Sequence, residues 1–165
     1  MLRQERSLLI WRIIVTLCFI ATLLFIFYNS SEIAYISGGK SLVATKWING
    51  VFEKLNISLV LTEHFVRKLA HFLEYTLLGF LMFVMLAVYV KRYISHLSVP
   101  LFFGLLTPVL DESFQTLVKG RTGQVTDVLL DFSGVFAGVL GGLFVMLMIH
   151  IFRRKPNRRR RVNYY

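Results

Sequence analysis

Four stretches of this chain, at about Leu8 to Tyr28, Phe65 to Val90, Leu97 to Val118 and Asp127 to Phe152, are each long and apolar enough to cross a bilayer. A hydrocarbon core of about 30 Å needs roughly 20 helical residues, and backbone polar groups inside it must be satisfied within the segment. These runs therefore predict an all-α fold, a polytopic membrane protein built as a small bundle of four transmembrane helices. The wider composition agrees: 56% of the 165 residues are apolar, 17% are charged and the mean hydropathy is +0.64. The expected division is a membrane domain over residues 1–152, with its motifs between 65 and 142, followed by a basic tail over 153–165.

Basic residues set the expected orientation. The N-terminus, the turn after the second run and the tail hold twelve Lys and Arg residues against Glu5 alone, net +11; the remaining seven basic and eight acidic residues give net −1, and together these make the +10 of the chain. The positive-inside rule places both termini in the cytoplasm. The tail from Arg153 to Arg161 directly follows a span, so it reads as a topology anchor favouring anionic lipid and not as a nucleic-acid patch. Arg3 and Arg6 precede a long apolar run with no small-x-small cleavage site after Tyr28, which reads as an uncleaved signal anchor. Cys18 is the only cysteine, so an internal disulfide is excluded. The one sizeable loop, Asn29 to Glu63, contains an amphipathic stretch from Ser41 to Val60 that would lie along the outer interface. His64 and Trp47 read as interfacial anchors.

Against this background the acids stand out. Glu74, Asp111, Glu112, Asp127 and Asp131, five of nine, fall in or beside the apolar runs, where a carboxylate costs a few kcal/mol even on lenient insertion scales. The topology brings Arg67, Lys68, His71, Glu74 and Tyr75 of the second run, Asp111, Glu112 and Gln115 of the third, and Asp127 and Asp131 of the fourth to within roughly 15 Å of the outer interface. At about 100° per residue, each set occupies one face of its helix, with arcs of roughly 120°, 140° and 80°. These faces predict one pocket in which Arg67 and Lys68 pair with carboxylates. Arg121, in the short turn Lys119 to Thr126, would sit above it as an ion-pair partner or as a bidentate ligand for a phosphate or carboxylate. Thr126 is the expected N-cap of the last helix, and Pro108 is expected to kink the third just before Asp111.

Gly134, Gly138 and Gly142 recur every four residues with Gly141 beside them, a stripe that admits a close helix neighbour. That neighbour is either another helix of the same chain or a second copy in a homodimer.

The segments Arg67 to Tyr75, Asp111-Glu112-Ser113-Phe114-Gln115, Gly120-Arg121 and Asp127 to Gly134, in that order and at these places in the topology, resemble the VanZ-like family of bacterial integral membrane proteins. Phe114 stands where members often carry histidine, and Asp131 where some carry asparagine. The resemblance implies a cell-envelope protein of the bacterial plasma membrane that lowers sensitivity to teicoplanin and related lipoglycopeptides. Two chemistries fit the residues. In one, the pocket binds a membrane lipid, a lipoglycopeptide or a lipid-linked envelope precursor through Arg67, Lys68 and Arg121, with the acids organising them. In the other, the protein is a membrane-embedded enzyme whose acid and base groups come from His71, Glu74, Asp111 and Glu112. A third possibility is an ion-paired network that only joins the helices. His71, Glu74, Asp111 and Asp127 are all potential metal donors, but no zinc-protease spacing occurs, and neither a metal site nor a cofactor is assigned.

Overall fold

The computed structural model describes residues 2–153, with side chains from residue 5 onward. The basic tail beyond Arg153 and the side chain of Arg3 lie outside the described residues. Five α-helices follow one another: α1 (Leu2–Ser31), α2 (Ala34–Lys54), α3 (Glu63–Tyr89), α4 (Ser98–Gln115) and α5 (Val125–Arg153), with a 3-10 turn at Tyr93–His96 before α4. All of α1, α3 and α5, and α4 together with the turn before it, are long and apolar enough to cross a membrane. The fold is all-α, with no strand among the described residues.

The bundle is apolar on its outside, as lipid-facing helices are. Leu17, Leu24 and Phe25 of α1, Phe102 of α4 and Phe144 of α5 are exposed, whereas the core holds Ile26, Tyr75, Leu78, Met82, Phe83, Val135 and Val139. The heart of that core is the contact of α3 with α5. A Cβ placed on Gly138 would fall 2.0 Å from the Thr76 carbonyl oxygen, one on Gly134 2.5 Å from the Phe72 oxygen, and one on Gly142 2.3 Å from Phe83 Cδ1. The reciprocal contact is Gly79, whose added Cβ would meet the Val135 oxygen at 2.1 Å. Gly104 of α4 receives the Val135 side chain in the same way. Without a solvent-driven hydrophobic force between helices, such backbone approach is how membrane helices gain dispersion energy. The glycine stripe is therefore taken up by α3 within the chain, and Gly141 meets nothing.

Two boundaries and one element differ from the sequence expectation. Helix α4 ends at Gln115 and not near Val118, because the chain turns there through Thr116 and Leu117. Helix α5 begins at Val125, so Thr126 lies inside its first turn and is not its cap. The stretch expected from Ser41 to Val60 is the helix α2, which starts earlier, at Ala34, and stops at Lys54. Asn56 explains the stop: it adopts φ +55°, the amide of Ile57 donates to the Phe52 carbonyl at 2.8 Å, and that of Asn56 to the Glu53 carbonyl at 3.0 Å. This is a Schellman closure, and asparagine tolerates its left-handed position. Asn49 then pins α2 to the segment entering α3 by exchanging two hydrogen bonds with the Leu61 backbone, at 3.0 and 2.9 Å. Pro108 sits inside a continuous α4.

Each end of the bundle is closed by a guanidinium on a helix carbonyl. Arg12 of α1 donates to the Val88 oxygen at 3.4 and 3.3 Å and lies over the Tyr89 ring, at one end. At the other end Arg121, in the α4–α5 turn, donates to the Asn29 oxygen at 3.1 Å. Cations are favourable at helix C-termini, where unsatisfied carbonyls gather.

Candidate functional site

The end closed by Arg121 is where α1 and α4 finish and α3 and α5 begin, so polar residues from four helices meet there. Thr62 caps α3 by accepting from the Phe65 amide at 3.3 Å, which fixes where Arg67 and Lys68 emerge. The α4–α5 turn folds back tightly. Gly120 takes φ +81°, a conformation that suits glycine, and a Cβ on Gly123 would lie 2.7 Å from the Glu112 carbonyl oxygen. That approach allows the Gln124 amide to donate to Glu112 Oε2 at 2.9 Å.

A cavity of about 160 Å³ opens beneath this turn. Arg67, Lys68, His71, Glu112, Gln115, Arg121, Asp127 and Asp131 all line it. The three remaining residues of the expected site lie away from its walls. Glu74 accepts from Asn29 Nδ2 at 3.2 Å. Tyr75 is fully buried in the core next to Asp111. Asp111 accepts through Oδ2 from Ser30 Oγ at 2.8 Å and from Gln115 Nε2 at 3.1 Å. Phe114 turns outward and meets Phe27 edge to face at 5.8 Å.

The cations divide differently from the expected pairing of both with acids. Lys68 Nζ binds Asp127 Oδ1 at 2.6 Å. Arg67 instead contacts His64 Nδ1 at 3.4 Å, and no carboxylate lies within 4.0 Å of Arg67 or Arg121 among the described residues. Arg121 is partly buried; desolvation pulls its pKa below the ordinary value, while the neighbouring Asp111 carboxylate pulls the other way. At such a guanidinium the group stays a cation.

Sequence reasoning passed over several contributors. Asn29 and Ser30 supply donors to Glu74 and Asp111. They end an apolar run, where polar residues ordinarily mark a loop; their position at the same end as the acids was the available signal. Ala34 and Ser37 of α2 and His64 of α3, the last expected as an interfacial anchor, also line the cavity.

A helical membrane protein with four spans and a charged pocket at one end is the class that this fold and site define. The VanZ/LLP1 family model matches residues 12–154, most of the chain, and the protein belongs to that family. No curated protein and no solved structure matches it.

Proposed function

We propose that this VanZ-like envelope protein binds an anionic group of a lipid, a lipid-linked envelope precursor or a lipoglycopeptide in the charged pocket, at the outer leaflet of the bacterial plasma membrane, and so lowers sensitivity to teicoplanin-like drugs. The observation that carries this reading is the imbalance of partners around the cavity. Lys68 is neutralised by Asp127, whereas Arg67 and Arg121 face the same cavity without a carboxylate in ion-pair range among the described residues. Two guanidinium groups on one cavity are suited to bidentate capture of a phosphate or carboxylate. Drug-sized pockets run from about 300 Å³ upward. A cavity of about 160 Å³ suits one headgroup, with the rest of the ligand lying along the lipid-facing bundle. The charge distribution supports the orientation, since the end bearing Arg12 and the turn Lys91-Arg92 is the basic, cytoplasmic one by the positive-inside rule.

A second reading, a membrane enzyme acting on a lipid-linked substrate, is favoured by one observation: His71 and Glu112 line the same cavity as the two arginines, so proton donors and acceptors would adjoin a bound anion. Glu74, held by Asn29 away from the cavity, fits that role poorly.

The test uses a host lacking the protein and any second homologue. Deletion is expected to raise sensitivity to teicoplanin-like drugs more than to vancomycin-like drugs, which lack the lipid tail. Arg67→Ala and Arg121→Ala, at normal protein levels, should lose most protection, while His71→Gln and Glu112→Gln should keep part of it; the reverse order favours catalysis. Unchanged sensitivity on deletion removes the resistance role. Full protection in every well-expressed pocket variant leaves the charges with folding alone.

A further inference from the structure

His71, Asp111 and Asp131, from α3, α4 and α5, each bring one potential ligand atom into a group whose members all lie within 4.8 Å of one another. Asp111 is 0% and Asp131 1% exposed. Yet His71 Nδ1, Asp111 Oδ1 and both carboxylate oxygens of Asp131 are buried without a hydrogen-bond partner. Buried polar atoms are nearly always satisfied, and four without partners on three residues that come this close together call for a common partner. No Lys or Arg supplies it: among the described residues none comes within 4.0 Å of Asp111 or Asp131. The Tyr75 hydroxyl, also buried, lies close enough to Asp111 to interact with it but makes no hydrogen bond of good geometry, so it does not fill the role of that partner.

Two carboxylates and an imidazole are the donor set of a divalent first-row cation. Neighbouring ligands on such an ion, at about 2.0–2.2 Å each, are about 2.8–3.6 Å apart, so the three atoms, all within 4.8 Å of one another, need an inward movement of about 1–2 Å at most, within reach of side-chain rotation. The surroundings are also those of a metal site. Ser30 and Gln115 both donate to Asp111 Oδ2, which orients the carboxylate and leaves Oδ1 free. His71 and Asp131 also line the cavity, so the remaining coordination positions open toward it.

We propose that His71, Asp111 and Asp131 bind one divalent first-row cation at the floor of the pocket, with its open coordination side toward the cavity. The assignment stands on these three side chains and does not require the anion-binding role of Arg67 and Arg121. It makes the acids, left without cationic side chains, the frame for an ion that three helices share.

The test is metal binding by the purified full chain in detergent, stripped with chelator and titrated with Mn²⁺ alone, then with Zn²⁺. Free Mn²⁺ is followed by electron paramagnetic resonance and the chain by thermal unfolding. One saturable ion per chain and a rise in the unfolding temperature are expected. Asp131→Asn and His71→Gln should weaken binding about tenfold or more, and Ser30→Ala, which loosens the orientation of Asp111 without removing a ligand, by about tenfold. Glu53→Gln, an exposed acid on α2, should leave the stoichiometry and affinity unchanged. No saturable binding of either ion by the unsubstituted chain overturns the proposal whether or not the variants fold. Equal loss in Glu53→Gln overturns it as well, by placing the ion on surface acids. So does an Asp131→Asn chain more stable than the parent and indifferent to metal, which would show two carboxyl groups sharing a proton.

Discussion

Lys68 and Asp127, 59 residues apart on α3 and α5, meet at 2.6 Å with each side chain about one third exposed. This contact ties the N-terminal ends of two parallel helices at the mouth of the pocket. Arg67, its sequence neighbour, makes no such bond among the described residues. A double-mutant cycle of Lys68→Met with Asp127→Asn, read by reversible unfolding in mixed detergent, should show a coupling of about 1 kcal/mol after solvent screening. Cycles joining Arg67 to Asp111, Asp127 or Asp131 should be additive. Coupling on Arg67 and none on Lys68 would reverse the assignment.

Gly138 offers a sharper structural test. An added methyl would meet the Thr76 carbonyl at 2.0 Å, in the backbone of a packed helix, whereas one on Gly141 meets nothing. Gly138→Ala should cost about 1–3 kcal/mol by overpacking. Gly141→Ala should stay within about 0.5 kcal/mol. Equal effects at the two positions would mean that α3 does not lie on this face.

Removing the Ser30 hydroxyl takes one of two donors from a fully buried carboxylate. Ser30→Ala in metal-free protein should lower stability by about 1–3 kcal/mol. Ser31→Ala, whose exposed hydroxyl bonds only the Tyr28 carbonyl, should be silent in the same unfolding assay.

Accessibility checks the orientation. With Cys18 replaced, cysteines at Lys40 and Lys46, both exposed on α2, should react with an impermeant maleimide in intact cells. Reaction only after lysis would turn the pocket to the cytoplasm and end the outer-leaflet proposal.

The spans and the polar faces were legible in the sequence because both follow from regular helical geometry: length against bilayer thickness, and phase at about 100° per residue. The same geometry could not choose between Arg67 and Lys68, adjacent residues whose long side chains reach over one arc. Nor could it find the partner of Arg121, since the Asn29 carbonyl is backbone and carries no sequence signature. Helix α2 was only partly visible, because its end is set by the left-handed Asn56 and its anchoring by Asn49, not by a strong apolar stripe. The gathering of His71, Asp111 and Asp131 into one close group depended on helix depth at the level of a single turn.

The direct seating of α3 on α5 has a bearing on how the chain is made. Ribosomal synthesis delivers α4 first, and with it Asp111 and Glu112, while the helix that brings Asp131 close to Asp111 is still to come. Until then Ser30 of α1 is the cover that an earlier span gives Asp111. A nascent chain halted before Val125 would hold two carboxylates in the bilayer without that lid, a form suited to retention by the insertion machinery and to capture by membrane proteases. Completion of the last helix is thus the step that closes the bundle over these acids.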